Sequence, residues 1–348
     1  MSASLPAVLD YAFSAPPAGG DAWIVAPGVR WLRMPLPFAL DHINLWLLDE
    51  PSGYTLVDCG FGDAATRVLW GAHFTTSLAQ RPLVRIVATH CHPDHVGNAE
   101  WLAARFGAPV AMTHAEYMTA HALRDQHSGF DAGATVALFR RHGMSDEHLS
   151  TMERRGNRYA RGVPELPSAF ERLVDGDTLH AGGTSWRVVE GHGHSPEHAS
   201  LWSAERGVLI SGDMLLPKIS TNISVYAAEP DSDPLRRFLD SLAAFETLPA
   251  DTLVLPSHGL PFRGIAVRVA QLRAHHRARL TELETAMRNA RAPMSAHDAV
   301  PVLFVRELDA QQRFFAMGET IAHLNHLWHA GRIDRHVDAD GAIRFAAA

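Results

Sequence analysis

Short apolar runs separated by polar loops dominate the first three quarters of the chain. Five of them, at 54–57, 83–88, 185–189, 208–211 and 252–256, are each followed within a few residues by a histidine or an aspartate. Apolar runs of this length between turn residues are typical of buried strands. The pattern therefore predicts a β-rich region in which side chains able to bind a metal collect where strands end.

The same patterning predicts the other elements. Strands at 31–36 and 44–48 form a first hairpin, and helical periodicity marks 64–78 and 98–106. The stretch 114–167 is mostly helical in pattern. After residue 258 the character changes, and the pattern predicts helices at 265–290, 300–308 and 311–330, followed by a hairpin of strands 333–337 and 343–345.

The segment after the 83–88 run carries the strongest chemical signal. It packs His90, His92, Asp94 and His95 into six residues. Imidazole and carboxylate together suit zinc, and also iron or manganese. Clustered imidazoles without partners are costly, so a plain polar loop is the weaker interpretation. The other runs supply further ligands, because they are followed by Asp58, His194, Asp213 and His258.

In this order the residues resemble the five motifs of the metallo-β-lactamase superfamily, over roughly residues 20–264. The His90-x-His92-x-Asp94-His95 element is quite specific, and the full ordered set is more so. The resemblance implies an α+β fold, a four-layer αβ/βα sandwich with two metal ions at one edge of its paired sheets. It also implies hydrolysis, in which the two ions activate a water molecule and polarise the bond under attack.

The resemblance assigns roles residue by residue. His90, His92 and His194 would hold one metal, and Asp94, His95 and His258 the other. Asp213 would bridge both ions. Asp58 would orient the histidine loop without binding metal. We take Asp94 and Asp58 as the catalytic carboxylates, and two divalent ions, best matched by Zn²⁺ with iron or manganese as alternatives, as the cofactors.

Several positions leave alternatives open. Cys91 lies between two ligand histidines and Cys59 follows Asp58, where the family often has small or hydroxyl residues. We expect a thiol that does not bind metal at Cys91, because three nitrogens already fill the first site. His192 could be mistaken for His194. The Gly-His-Ser-Pro-x-His pattern favours His194 as the ligand and makes His198 a supporting residue.

The resemblance also suggests a domain organisation. We predict an N-terminal surface segment (1–21), a catalytic domain (22–264) with a helical cap insertion (114–167), and a small C-terminal domain (265–348). The helices and hairpin of the last region resemble a winged helix, as found after the sandwich in hydrolases related to glyoxalase II, including endoribonucleases. We interpret this domain as a structural or dimerising module, so a homodimer is one expectation.

Charge and composition limit the kinds of molecule that the protein is expected to bind and the compartment in which it is expected to work. The 348 residues carry a net charge of −7, and the 11 arginines and 9 acids from residue 265 onward give only +2 there. A nucleic-acid-binding surface is usually more basic, so nucleic acid is disfavoured but not excluded. No apolar run is long enough to cross a membrane. The start of the chain lacks the basic region of a signal peptide, and two cysteines beside metal motifs favour a reducing compartment. We therefore expect a cytoplasmic, bacterial enzyme.

The substrate is the least determined feature. A small-molecule thioester or acyl ester is our first hypothesis, with a metal-dependent endoribonuclease or other nuclease and a lactonase as alternatives. A protein that keeps the fold as a binding or regulatory module is disfavoured by the complete ligand set. Candidate substrate contacts are Lys218, the only lysine, together with Asn222, Tyr226 and Arg158. Arg158 belongs to Arg154-Arg155-x-x-Arg158-x-x-Arg161, which would form one helix face suited to phosphate or carboxylate. His42 is either a loop residue or a further substrate contact.

Overall fold

A computed structural model describes residues 8–348 of the chain. The chain forms two compact units. Among the described residues, the first contains 8–124, 159–221 and 241–269, and the second contains 125–158, 222–240 and 270–348. The predicted surface segment 1–21 lies partly outside the described residues. Its residues Asp10–Tyr11 form an edge strand, and Leu9 is buried.

Two seven-stranded mixed sheets form the first unit. In spatial order, one sheet contains β1 (Asp10–Tyr11), β14 (Phe262–Arg263), β13 (Leu253–Pro256), β12 (Val208–Gly212), β11 (His198–Ser203), β10 (Thr184–Gly191) and β9 (Thr178–Ala181). The other contains β2 (Trp23–Ala26), β3 (Val29–Pro35), β4 (His42–Asp49), β5 (Tyr54–Val57), β6 (Leu83–Val87), β7 (Val110–Thr113) and β8 (Glu171–Leu173). The strands predicted from all five apolar runs and the first hairpin are confirmed.

The main core lies between the two sheets. Trp31, Trp46 and Val87 point inward from one sheet and meet Trp186 and Ile210 from the other, all of them fully buried. The residues that alternate with these on the second sheet, such as Leu45 and Ile86, face the opposite side. Period-two alternation with both faces buried explains why these strands read as continuous apolar runs.

Helices cover the outer face of the second sheet. Trp70 from α1 (Ala64–Thr75) and Leu102 from α3 (Ala99–Phe106) share a buried cluster with Leu45 and Ile86. On the other side of the unit, Ser241 in α8 (Pro234–Glu246) accepts a hydrogen bond from the backbone N–H of His192, just beyond β10. The remaining helices of this unit are α2 (Pro93–Val96), α4 (His114–Arg124) and α7 (Tyr159–Gly162).

Strand direction brings the candidate ligands to one edge of each sheet. β5, β6 and β7 are parallel, so their carboxyl ends lie at the same edge, and the antiparallel β4 begins there. In the other sheet β12 and β13 are parallel, and β10 runs in the same direction because β11 is antiparallel to both of its neighbours. The loops after β5, β6, β10, β12 and β13 are those that carry the predicted ligands.

The second unit is mainly helical. Its elements are α5 (Ala132–Arg141), α6 (Asp146–Arg154), residues 234–240 of α8, most of α9 (Ile265–Asn289), α10 (Ala296–Leu303), α11 (Ala310–His329) and the hairpin of β15 (Ile333–Val337) and β16 (Ile343–Ala347). The hairpin forms at the predicted place around its Asp-Ala-Asp-Gly turn, and its second strand extends two residues further than predicted, to Ala347. Within the described part of the chain, no helix is long and apolar enough to span a bilayer.

Two sequence expectations are wrong here. The short helix expected at 300–308 occupies 296–303, because Ser295 and Asp298 form a capping box that starts it earlier. The expected arginine face does not exist, since α6 ends at Arg154 and α7 begins at Tyr159, so no single helix carries the cluster. The domain boundaries remain predictions. Residues 125–158 of the proposed cap belong to the second compact unit.

The packing between the sheets predicts a stability difference between two isoleucines that both lie in strands. Ile210 is fully buried, whereas Ile24 is 65% exposed. We expect Ile210→Ala to reduce the free energy of unfolding by about 2–5 kcal/mol. Ile24→Ala should stay within about 0.5 kcal/mol of the original. Urea unfolding followed by circular dichroism measures both, and equal losses would contradict this account of the core.

Candidate metal centre

Asp58 fixes the start of the histidine loop. Its Oδ1 accepts hydrogen bonds from the backbone N–H of Thr89 (2.8 Å) and from Thr89 Oγ1 (3.0 Å). Its Oδ2 accepts from His95 Nδ1 at 2.8 Å. Asp58 adopts a left-handed backbone conformation (φ 63°) that is unusual for a residue other than glycine, and such strain often marks a functional loop. The predicted second-layer position of Asp58 matches these contacts.

His90, His92, His194 and Asp213 form a first group of ligand atoms that all lie within 4.8 Å of one another. His90 Nε2 is 2.9 Å from His92 Nδ1 and 3.2 Å from His194 Nε2. His194 Nε2 is 3.4 Å from Asp213 Oδ2. Ligands at the corners of a tetrahedral zinc site are about 3.3 Å apart, given bonds of about 2.0–2.1 Å. The spacing of this group fits one ion.

Asp94, His95 and His258 form a second group with the same 4.8 Å limit. His258 Nε2 lies 3.5 Å from Asp94 Oδ2 and 3.4 Å from Asp213 Oδ1, and His95 Nε2 lies 3.6 Å from the same Asp213 oxygen. Asp213 thus directs Oδ2 to the first group and Oδ1 to the second. A carboxylate in this orientation can bind two ions at once.

Buried polar atoms test whether metal ions fit these groups. Among the described residues, His95 Nε2 and Asp213 Oδ1 are fully buried and have no hydrogen-bond partner. Leaving such atoms unpaired is costly, and a cation between them would satisfy both. Burial also lowers the pKa of His90 and of His92 well below the ordinary value, which keeps these rings in the neutral form that binds metal. The residues present fit a pair of divalent ions.

The electrostatic field at the second group also favours a cation. Burial lowers the pKa of His95, but the carboxylates of Asp58, Asp94 and Asp213 outweigh it and bring the pKa to about 10. The same carboxylates that hold a proton on this ring would attract a divalent ion. Asp94 is the most exposed of them, with 17% of its side chain accessible.

Hydrogen bonds on the far side of each ring set which nitrogen faces the centre. His90 Nδ1 lies 3.0 Å from Thr89 Oγ1, which in turn donates to Asp58. His258 Nδ1 donates to the backbone carbonyl of His42 at 2.7 Å. With the hydrogen on Nδ1, the Nε2 lone pair of each ring is available to a metal.

Sequence reasoning missed how the His258 loop is held. The ring of His42 accepts the Gly259 N–H at 2.9 Å, and Asn44 donates to the carbonyls of Pro256 (2.8 Å) and Gly259 (3.0 Å). His42 therefore supports the His258 loop, a role that was not predicted from the sequence, and a substrate contact by His42 stays a prediction. The available signal was the start of β4, because an antiparallel neighbour of β5 must begin at the edge where β5 ends.

A second missed residue is Glu116, a buried carboxylate in the first turn of α4. It accepts hydrogen bonds from the two loops that carry the histidines of the first group. The signal that located the candidate ligands applied here too, because Glu116 follows the apolar strand β7 and that strand is parallel to β6. Glu116 has no place among the five motifs that the sequence resembles.

The ambiguous residues fall into clear positions. His192 donates from Nδ1 to the Pro196 carbonyl (2.7 Å) and belongs to neither ligand group. His198 accepts the Asp213 N–H on Nε2 (3.1 Å), and burial lowers its pKa to about 3. Cys59 and Cys91 are buried, and burial raises the pKa of both thiols well above the ordinary value. Neither cysteine belongs to a ligand group among the described residues.

The four candidate substrate contacts have different surroundings. Lys218 belongs to the first unit and is exposed. The other three belong to the second unit. Asn222 donates a hydrogen bond to Glu319 (3.0 Å), and Arg158 donates one to Gln311. The ring centroid of Tyr226 lies 6.4 Å from that of Phe130. Their role in binding substrate stays a prediction.

Comparison with known proteins supports the resemblance seen in the sequence motifs. Residues 39–258 match the metallo-beta-lactamase superfamily model, and residues 280–348 match a metallo-beta-lactamase-like C-terminal domain. A beta-lactamase domain protein from Burkholderia ambifaria is 49% identical, with a TM-score of 0.90 over 98% of both chains.

Two curated proteins give more distant similarities. "Probable metallo-hydrolase YqjP" of Bacillus subtilis is 24% identical over 84% of this chain and 90% of its own. A hydroxyacylglutathione hydrolase of Rhodospirillum rubrum is 31% identical over 100 residues, which are 29% of this chain and 36% of that protein.

A sandwich of two sheets with a shared His/Asp cluster at its edge defines a metallo-hydrolase. The chain belongs to the metallo-β-lactamase superfamily. The predicted fold is confirmed, and the prediction of a hydrolase is confirmed at the level of the superfamily.

The geometry separates the two histidines that the sequence left ambiguous. We expect His194→Ala to reduce bound metal below two ions per chain, because it removes a nitrogen of the first group. His192→Ala removes a ring outside both groups and should keep two ions. Metal analysis of the purified variants measures this, and the reverse result would show that the third motif was assigned in the wrong register.

Gly212 predicts a second effect on metal content. At φ +52°, a Cβ atom there would lie 2.2 Å from His198 Nε2. Gly207 has a similar φ of +60°, but its Cβ would meet nothing within 4 Å. Both alanine variants incur the left-handed backbone cost of about 1–2 kcal/mol. Only Gly212→Ala should also displace His198 and Asp213 and so reduce metal content, and an equal loss in Gly207→Ala would contradict the steric explanation.

Proposed function

We propose that this protein is a dinuclear metal-dependent hydrolase that acts on a small-molecule thioester or acyl ester. The observation that supports this most directly is Asp213, whose two oxygens face two different groups of nitrogen and oxygen ligands. When bound, two divalent ions lower the pKa of water toward neutrality and polarise the carbonyl under attack. Zinc suits the mixed imidazole and carboxylate set, with iron or manganese as alternatives.

The chain's own residues divide the work. His90, His92 and His194 would hold one ion, and Asp94, His95 and His258 the other, with Asp213 shared. Asp58 acts through Thr89 and His95, so it is a positioning residue. We assign Asp94 as the acceptor of a proton from the attacking water, because its carboxylate is the most accessible of the group.

The preference for a small acyl substrate rests on two observations. The first is the local similarity to a hydroxyacylglutathione hydrolase, an enzyme whose named substrate is a thioester. The second is charge. The chain carries a net charge of −7, and a polyanionic substrate gains little from an acidic surface. A lactone offers the same ester carbonyl, so a lactonase remains the nearest alternative. Lys218, Asn222, Tyr226 and Arg158 remain candidates for contacting the substrate.

The nuclease alternative has weaker support than the sequence suggested. Its main argument was a continuous arginine face, and that face is interrupted between Arg154 and Tyr159. Its other argument was the winged-helix-like order of helices and hairpin in the C-terminal region. That order alone does not bind nucleic acid, and a structural or dimerising role explains it equally well.

Substrate turnover tests the proposal. The panel contains acyl-CoA and glutathione thioesters, lactones and single-stranded RNA, each assayed before and after chelation and after zinc or manganese is added back. We expect metal-dependent thioester or ester hydrolysis. Asp213→Ala should lower it by at least about 100-fold, the cost of losing one strong electrostatic contact in an active site.

The exposed aspartate Asp251 supplies the control, since Asp251→Ala should leave activity unchanged. Salt-sensitive cleavage of RNA with no ester hydrolysis would replace the proposal with the nuclease alternative. Full activity in Asp213→Ala would overturn the site assignment.

A further inference from the structure

Glu116 is a carboxylate completely shielded from solvent at the edge of the sheet where the ligand groups lie. It occupies the first turn of α4, directly after β7. Burying an ionised carboxylate is costly unless donors surround it. The donors that surround Glu116 come from the two loops that carry the nitrogen ligands of the first group.

Each oxygen of Glu116 contacts a different loop. Oε2 accepts the backbone N–H of Cys91 at 2.9 Å. Oε1 accepts Ser195 Oγ at 2.6 Å and the backbone N–H of Glu197 at 2.7 Å. One side chain therefore joins two segments that are far apart in the sequence.

The donors are adjacent to the ligands themselves. Cys91 lies between His90 and His92, and Ser195 follows His194. All three nitrogens of the first group are therefore within one residue of a hydrogen bond to the same carboxylate.

Glu197 makes further hydrogen bonds back to the segment that carries Glu116. Glu197 Oε2 accepts the Ala115 N–H at 2.9 Å, and the Glu197 carbonyl accepts Thr113 Oγ1 at 2.8 Å. The end of β7 and the start of α4 are thus fixed to the His194 loop from both sides.

The second ligand group is supported by different residues. His95 is held by Asp58, and His258 by the backbone of His42. None of the hydrogen bonds described for Glu116 reaches His95, His258 or Asp94. The two groups share Asp213 but have separate supports, so a defect at Glu116 should affect them unequally.

We propose that Glu116 is a positioning residue that sets the separation of His90, His92 and His194 and thereby controls metal affinity at the first group selectively. The inference rests on the proposed function, because it takes the two groups to be metal sites. Glu116 does not bind metal in this scheme. It fixes the backbone on both sides of the ligands, as outer partners of metal ligands do elsewhere.

The decisive variant is Glu116→Gln, which keeps the shape of the side chain. An amide has one oxygen and one NH₂ group. If the oxygen stays on Ser195 and Glu197, the NH₂ group faces the Cys91 N–H, and the contact between two donors breaks the link to the histidine loop. Ser195→Ala is a milder cut, because it removes one donor and leaves the Glu197 N–H in place.

Cobalt titration of single-site proteins separates the two groups. His258→Ala keeps the first group intact, and His194→Ala keeps the second. In the His258→Ala background we expect Glu116→Gln to weaken Co²⁺ affinity by about 10- to 100-fold and to alter the visible d–d bands. In the His194→Ala background affinity should change by less than about threefold, well below that range. Ser195→Ala should weaken the first group in the same direction by a smaller factor.

Glu100 provides a matched control, since it is also a glutamate in the first turn of a helix, α3, and belongs to the same unit. Glu100→Gln should leave both affinities and the spectrum unchanged. Unchanged affinity at the first group in a folded Glu116→Gln protein, or equal losses at both groups, would overturn the positioning role. Lack of Co²⁺ binding by the original protein would instead refute the proposed function.

Discussion

The centre of this protein is an electrostatic constraint. Seven imidazole and carboxylate side chains form two groups, and one of the seven, Asp213, faces both, with its Oδ2 3.4 Å from His194 Nε2 and its Oδ1 3.4 Å from His258 Nε2. Imidazole nitrogens and carboxylate oxygens at these distances, removed from water, need a proton or a metal cation between them. His95 Nε2 and Asp213 Oδ1 are buried without a hydrogen-bond partner, which is the same unmet need. The rest of the fold therefore has to hold a group of side chains together whose burial costs free energy.

The two sheets meet this requirement through strand direction. Side chains that leave parallel strands at their carboxyl ends reach the same edge whatever their separation in the sequence. The core between the sheets, with its buried tryptophans, holds the two edges in register. Loops at such an edge are free to carry polar residues, while the strands behind them supply the hydrophobic stability. This separation of roles explains why the ligand loops tolerate strained conformations such as that of Asp58.

A second layer of hydrogen bonds then turns proximity into defined geometry. Asp58 and Thr89 orient His95 and His90, and the carbonyl of His42 orients His258. Glu116 joins the two loops that carry the histidines of the first group. Asp58, Thr89, His42 and Glu116 all lie next to strand ends at the same sheet edge. Each metal ligand can therefore be rigid without any of them lying on a long regular element.

The sequence alone determined the strands, the order of the ligands and the class of chemistry. Apolar runs and strand-exit histidines are local signals, and the spacing of His90, His92, Asp94 and His95 is a local pattern with a known chemical preference. It also located the terminal hairpin, because a Gly-containing turn between two short runs is local as well. It misplaced the start of α10, where the capping box of Ser295 outweighed periodicity, and it predicted an arginine face on a helix that is interrupted.

Only the tertiary structure decided how the ligands are shared and supported. Which Asp213 oxygen faces which group, and which hydrogen bonds hold His42 and Glu116, depend on pairs of residues that are 19 to 216 positions apart. Such contacts leave no periodic trace in the chain, because hydrogen bonds between loops are set by sheet register and strand direction. Local patterns in the sequence identify the candidate ligands, whereas the packing of the two sheets determines which residues they contact.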